Sequence, residues 1–194
     1  MKLHGTRTLT VLAAAVLALA LGACGTSDDS GSSGTHNAAD VSFATEMIPH
    51  HEQALLMVDM TEGRDLSPEF EQLTQDIEAA QTPEIEQMQG WLKSWGEDVP
   101  SGSSGHMMSG GSMGGSMGSG MMSDRDLKNL RGAGSDAFED MWLRMMIAHH
   151  EGAIEMAQTE IADGEYAAAL DLARSIASSQ QAQITQMKAM LADS

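Results

Sequence analysis

Four histidines in two adjacent pairs, His50-His51 and His149-His150, are the side chains of this chain best suited to chemistry. Each pair has a methionine three residues before its first histidine (Met47, Met146) and another seven residues after it (Met57, Met156). Positions three and four apart share a helix face, so Met47 stands beside both His50 and His51, and Met146 beside both His149 and His150. At about 100° per residue, His50 and Met57 lean to one side of Met47 and His51 to the other. Imidazoles with thioethers and no thiolate suit Cu(I), with Cu(II) accessible through the imidazoles. Zinc fits less well, because thioethers are not among its usual ligands. Dinuclear iron bundles carry Glu-x-x-His pairs and further glutamates. Here the residues three before the histidines are Met47, Ile48, Met146 and Ile147.

One histidine on an apolar face is more often a hydrogen-bonded core residue than a ligand, and methionine commonly fills gaps. Two pairs on facing helices are different, because four buried imidazoles are costly unless they are hydrogen-bonded or coordinate something. Glu52 and Glu151, next to the pairs, are candidate hydrogen-bond partners that would fix the tautomers. Three readings stand side by side. The first is a protein that sequesters or delivers copper; the second is a ferritin-like oxidase acting on metal ions or small reductants at the four-histidine site. The third is a helical interaction module whose histidines hydrogen-bond across the core. No Ser-His-Asp, phosphate loop or Cys-His pattern offers another chemistry, and no catalytic residue is assigned.

The elements that position these residues are duplicated. Residues 47–57 return as 146–156, each displaced by 99, and the register continues downstream. Leu73, Ile77, Gln81, Ile85, Met88 and Leu92 fall on Leu172, Ile176, Gln180, Ile184, Met187 and Leu191. Apolar spacing predicts helices over about 40–62, from a Ser67-Pro68 start to about 95, from a Ser135 cap to about 163, and over about 165–192. A short helical turn is expected at 124–130. Pro49 and Pro83 fall inside helices and each removes one backbone hydrogen bond. Trp142, seven residues before His149, is expected in the core. No stretch alternates as a strand does. The expected fold is all-α, a ferritin-like four-helix bundle made of two duplicated helical hairpins, over 40–194.

Residues 1–23 read as a signal peptide, with Lys2 and Arg7 before an apolar run and Leu21-Gly22-Ala23 before Cys24. That ending matches a lipobox, which makes Cys24, the single cysteine, the expected lipidation site and membrane anchor. The expected location is extracytoplasmic, lipid-anchored to a bacterial membrane, with 24–39 as a flexible tether. The net charge of −18 and the lack of a basic patch argue against nucleic acid as a partner.

Between the repeats (about 40–96 and 135–192) lies a Gly/Ser/Met-rich linker of about 97–123. It carries His106, Met107, Met108, Met113, Met117, Met121 and Met122. Exposed methionines gain nothing from water. Thioethers on a pliant backbone suit a soft cation, so these are candidate linker ligands.

The stretches 47–54 (Met-Ile-Pro-His-His-Glu-Gln-Ala), 80–92 and 145–157 (Met-Met-Ile-Ala-His-His-Glu-Gly-Ala-Ile-Glu-Met-Ala) resemble the DUF305 family. The resemblance covers about 40–192, interrupted by the linker. It implies a secreted bacterial protein with a ferritin-like bundle. Some members are linked to copper handling outside the cytoplasm, which would carry over to His50, His51, His149 and His150. The Met-rich linker is not a general feature of the family, and no catalytic residue is implied.

Overall fold

The computed structural model describes residues 34–100 and 120–193. Their helices are α1 (Ala38–Asp59), α2 (Pro68–Trp95), α3 (Asp124–Arg131), α4 (Ser135–Asp163) and α5 (Ala167–Asp193). No strand occurs among the described residues, and none of their helices is long and apolar enough to cross a membrane. The helices α1 and α2 pack as one hairpin, α4 and α5 as the other, and α1 packs on α4. Cys24, the leader, most of the tether, His106, Met107, Met108, Met113 and Met117 lie outside the described residues.

Local chemistry sets the helix ends. Asn37 Oδ1 accepts from the backbone N–H of Ala39 (2.7 Å) and Asp40 (3.2 Å), while Asp40 accepts from Asn37 N–H at 2.6 Å. This reciprocal box starts α1 two residues before the expected position. The helix ends at Asp59 rather than 62, where the chain turns through Gly63 at φ 71°. In the second copy α4 runs on to Asp163, five residues past Gln158, the counterpart of Asp59. The connection is therefore residues 60–67 in one copy and 164–166 in the other, yet α2 and α5 start at Pro68 and Ala167, 99 apart. Both α1 and α2 continue through their internal prolines.

Each copy's first helix caps the other copy's second helix. Ser67, the predicted cap of α2, makes no capping bond with its own side chain. Instead its N–H and hydroxyl both donate to Glu139 of α4, at 2.7 and 2.9 Å. The counterpart of Glu139 is Asp40 of α1, which accepts from the N–H groups of Glu165 (3.1 Å) and Tyr166 (2.9 Å) at the start of α5. Carboxylates facing helix N-termini complement both the open N–H groups and the helix dipole. With Asn37 Nδ2 donating to Asp163 O, and Trp142 Nε1 donating to Met57 O, these contacts fix α1 and α4 as antiparallel.

The core divides into two clusters. One holds Ala54, Met57, Phe70, Leu73 and Ile77 with Phe138, Trp142, Met146, Ile184 and Met187. The other holds Phe43, Met47, Ile85 and Met88 with Ala153, Ala169, Leu172 and Ile176. A displacement of 99 carries each cluster onto the other: Leu73 to Leu172, Ile77 to Ile176, Met47 to Met146, Met88 to Met187. The bundle is thus pseudo-two-fold symmetric about its middle. Trp142 is buried as expected, its indole edge-on to Phe70 at 4.9 Å.

Glu160 of α4 is buried beside Asp40, and neither of its oxygens receives a hydrogen bond. Burial first, and then the neighbouring Asp40 carboxylate, push its carboxyl up from the ordinary 4.5 to about 8. Asp40, held by three backbone N–H groups, is shifted down in spite of its own burial. Between about pH 4.5 and 8 the folded chain keeps a Glu160 proton that the unfolded chain has released, so this group makes stability fall as pH rises. Glu160→Gln, the shape of the neutral acid, should remove that component. Urea unfolding at pH 5 and pH 8.5 measures it, and an unchanged pH slope in the variant rules out a protonated Glu160.

Candidate metal centre

The histidines occupy the boundary between the two clusters. On α1, His50 and His51 lie between Met47-Ile48 of one cluster and Ala54-Met57 of the other; on α4, His149 and His150 lie between Met146 and Ala153. All four are buried. His50 and His149, counterparts in the repeat, meet ring to ring at 3.8 Å with 38° between their planes. The two pairs, on facing helices, therefore meet through their inner rings.

The outer histidines are held from the opposite helices of their own hairpins. His51 Nε2 lies 2.7 Å from Glu84 Oε2, and His150 Nε2 lies 2.8 Å from Gln183 Oε1. These contacts are counterparts too, since 51 and 84 shift to 150 and 183. An amide oxygen only accepts, so His150 carries its hydrogen on Nε2; the Glu84 carboxylate asks the same of His51. Nδ1 of both rings then presents its lone pair, buried and with no hydrogen-bond partner. Both ring nitrogens of His149 are also buried without one.

Two more polar residues are buried in the core. Gln81 of α2 sits between Ile77 and Ile85, and its counterpart Gln180 of α5 between Ile176 and Ile184. Each is only 2 % exposed, and the amide oxygen of each lacks a partner. One helical turn separates them from Glu84 and Gln183, on the same faces.

The family profile described as "Domain of unknown function (DUF305)" matches residues 40–191. The chain belongs to the DUF305 family. Among solved structures it is similar to a DUF305 fragment from Deinococcus radiodurans (26 % identity, TM-score 0.69, covering 81 % of this chain and 98 % of that one). It is likewise similar to a DUF305 protein from Streptomyces coelicolor described as secreted (28 %, TM-score 0.69, 80 % and 93 %). A third neighbour is CopM in its Cu(II)-bound form (32 %, TM-score 0.65, 79 % and 96 %), a protein also solved with Cu(I). No curated protein matches the chain.

In this DUF305 chain the methionines divide between the two sides of the layer. Met57 and Met146 belong to one cluster, Met47 and Met156 to the other. Met47, Met57 and Met146 are fully buried, and Met156 is half-buried. Met47 and Met146 stand one turn from the histidines; Met57 and Met156 stand seven residues away, about 10 Å of helix rise. Among the described residues no three His, Cys, Asp or Glu side chains are grouped to hold one ion.

The expected role of Glu52 and Glu151 is corrected. Glu151 is exposed and pairs with Lys188 at 3.4 Å, and the partners of His51 and His150 are Glu84 and Gln183. Those two escape a reading of the sequence because they lie a whole helix away from their histidines. The repeat offset, which pairs 84 with 183, is the one available signal.

The end of the linker is seated on the histidine-bearing helices. Gly120, at φ 81°, lies so close to α4 that a Cβ would come within 2.5 Å of Ala148 O and 3.1 Å of Gly152 Cα. Two residues on, the Gln53 side chain of α1 binds the backbone of Met122, accepting from its N–H at 2.7 Å and donating to its carbonyl at 3.0 Å. Gln53 and Gly152 are repeat counterparts. Where one copy needs a side chain to grip the linker, the other needs none so that the linker can pass. Met122 packs on the first cluster and Met121 is half-buried.

Burial, and after it the charge that His50, His150 or His51 would carry, holds His149 well below the ordinary imidazole value of 6.5. Burial lowers His150 to about 4, against the hydrogen bond to Gln183. Both are neutral in the fold at pH 7. On acidification the unfolded chain takes up protons first, so this contribution to stability is present above 6.5 and is lost as pH falls toward 4. Metal-free protein should therefore lose stability steeply between pH 6.5 and 4. Changing His149 and His150 to Gln should flatten that limb, with chemical unfolding across the range as the measurement.

Proposed function

We propose that this is an extracytoplasmic copper-binding protein that sequesters or passes on the ion through its histidine layer. The observation that carries the reading is the buried ring contact of His50 with His149, flanked by His51 and His150 whose Nδ1 atoms face the interior without partners. Four imidazoles in a water-poor layer are costly, and a soft or borderline cation offsets that cost by taking their lone pairs. Met47 and Met146, one turn from the pairs on opposite sides, are the thioethers best placed to join. Met57 and Met156 are the outer ones. The similarity to CopM, solved with Cu(I), Cu(II) and Ag, supports copper as the cargo and does not choose an oxidation state. Cu(I) is our choice, because sulfur and neutral imidazole are soft donors.

Glu84 and Gln183 orient the outer rings from behind, the usual duty of residues next to a metal shell. Gln81 and Gln180, buried with unfilled amide oxygens one helical turn from Glu84 and Gln183, are the acceptors we assign to the inner rings once Nδ1 or Nε2 is ligated. Upstream, Cys24 is the proposed lipid anchor and 24–39 the tether. His106, Met107, Met108, Met113 and Met117 form a looser capture segment whose end is fixed beside the layer by Gln53.

A competitive Cu(I) titration of the chain from Gly25, against a variant with all four bundle histidines changed to Ala, tests the centre. Wild type should bind tightly and the variant should lose that site. At a free concentration one hundred times Kd, an ion that binds only the folded state adds about 2.7 kcal/mol of stability, a rise of several degrees in Tm. Equal affinity and equal Tm response in both proteins would sink the histidine reading. Changing Met107, Met108, Met113 and Met117 to Ser should lower the number of Cu(I) ions bound while leaving metal-free Tm unchanged, because the grip of Gln53 on Met122 is untouched. An unchanged stoichiometry would remove the linker from the function.

A further inference from the structure

The last residues before α3 close one side of the seam between α1 and α4. Gly120 lies against Ala148 and Gly152 of α4, where a Cβ would come within 2.5 Å of the Ala148 carbonyl oxygen. Gln53 of α1, only 7 % exposed, grips Met122 through both its N–H (2.7 Å) and its carbonyl (3.0 Å). Gln53 stands three residues after His50, and Gly152 three after His149. On a helix each is about 60° from its inner histidine but about 160° from the outer one, His51 or His150. The outer pair points to Glu84 of α2 and Gln183 of α5. Residues 120–122 therefore cross the opposite side of the seam, one helical turn from the ring contact of His50 with His149.

Anchoring the chain does not require this fit. Ser123 caps α3 in a reciprocal box with Asp126, and Leu127 and Leu130 are buried in the first cluster, so the end of the linker is already fixed. What Gln53 and the bare backbone of Gly152 add is close seating on the two helices that carry the histidines. Gly120, at φ 81°, meets backbone atoms there, so no side chain can take its place without lifting the segment. We propose that residues 120–122 are a fitted cover over the inner histidine pair, positioned by Gln53, whose release sets how fast a soft cation or another small reagent reaches those rings. Opening breaks the two hydrogen bonds of Gln53 and lifts Met122 from the first cluster, while Ser123 and α3 stay in place. Local openings of this kind lie well below global unfolding in free energy. A cover that opens in both ion-bound and ion-free protein changes rates in both directions and leaves affinity alone. The ion is copper under the reading given above; the cover itself rests on the contacts of Gln53 and Gly120.

The test uses the full chain with its Gln53→Ala and Gly120→Ala variants. In metal-free protein, modification by diethyl pyrocarbonate is followed by peptide mass spectrometry, with fragmentation separating adjacent histidines. His50 and His149 should react at least tenfold faster in Gln53→Ala than in wild type, with His51 and His150 unchanged. Gly120→Ala should do the same, and serves if the Gln53→Ala protein fails to fold by circular dichroism. With Cu(I) loaded, transfer to excess bicinchoninic acid should also speed up at least tenfold, at unchanged Kd. Unchanged reactivity of the inner pair in both variants would overturn the proposal. So would equal acceleration of all four histidines, which marks general loosening, or a loss of affinity large enough to account for the faster transfer. The two readings fail separately. Absence of Cu(I) binding by wild type would end the copper reading and leave the histidine reactivities to decide the cover.

Discussion

Four imidazoles buried at one level of a helical bundle constrain everything around them. The two inner rings touch at 3.8 Å, so neither tolerates a charge on the other, and burial removes the water that would screen it. The layer folds because burial keeps His149 and His150 neutral and because Glu84 and Gln183 each take one N–H from an outer ring. Every other boundary follows. The apolar core cannot run through the layer, so it forms as two clusters above and below it, each built from half of one hairpin and the complementary half of the other. Neither cluster is complete in one copy of the repeat. The duplication is therefore what closes the core, and the histidine layer sits where the two copies meet.

Departures from two-fold symmetry are informative against that background. Gln53 and Gly152 differ because a single linker crosses a symmetric surface once: one helix grips it, and the other makes room. Glu84 and Gln183 differ in charge while keeping the same contact geometry, which makes the two outer histidines electrically unequal. An ion at the layer would therefore find a carboxylate behind one outer ring and an amide behind the other. Asp40 and Glu139 differ in length but not in duty, since each caps a helix of the other hairpin.

Much of this was legible in the sequence, because a repeat with an unbroken offset of 99 carries tertiary information. It set the pairing of stripes, the all-α class and the placing of the two histidine pairs on facing helices, and Leu73, Ile77, Ile85 and Met88 all fell where their counterparts required. What stayed hidden was of two kinds. Glu84 and Gln183 sit on largely solvated turns of α2 and α5, and nothing local marks either as the acid or amide that reaches inward. Glu52 and Glu151 looked better placed by adjacency, but consecutive helical residues point about 100° apart, so a neighbour in sequence faces away from its histidine. The split of the core was also invisible: Gln81 and Gln180 fall in the apolar stripes of their helices, and only the fold shows both buried with unpartnered amide oxygens.

A site on a pseudo-two-fold axis has a consequence for ion choice in the function proposed. Each copy offers the same donors, an inner imidazole and a thioether one turn away, so an ion on the axis meets them in opposed pairs. Such pairs suit low, near-linear coordination, which Cu(I) accepts and which zinc, a tetrahedral ion, does not favour. The layer also has no carboxylate directed at its centre: Glu84 is spent on His51 Nε2, and Glu151 pairs with Lys188 at the surface. A hard divalent cation would enter without charge compensation, whereas a monovalent soft ion needs less.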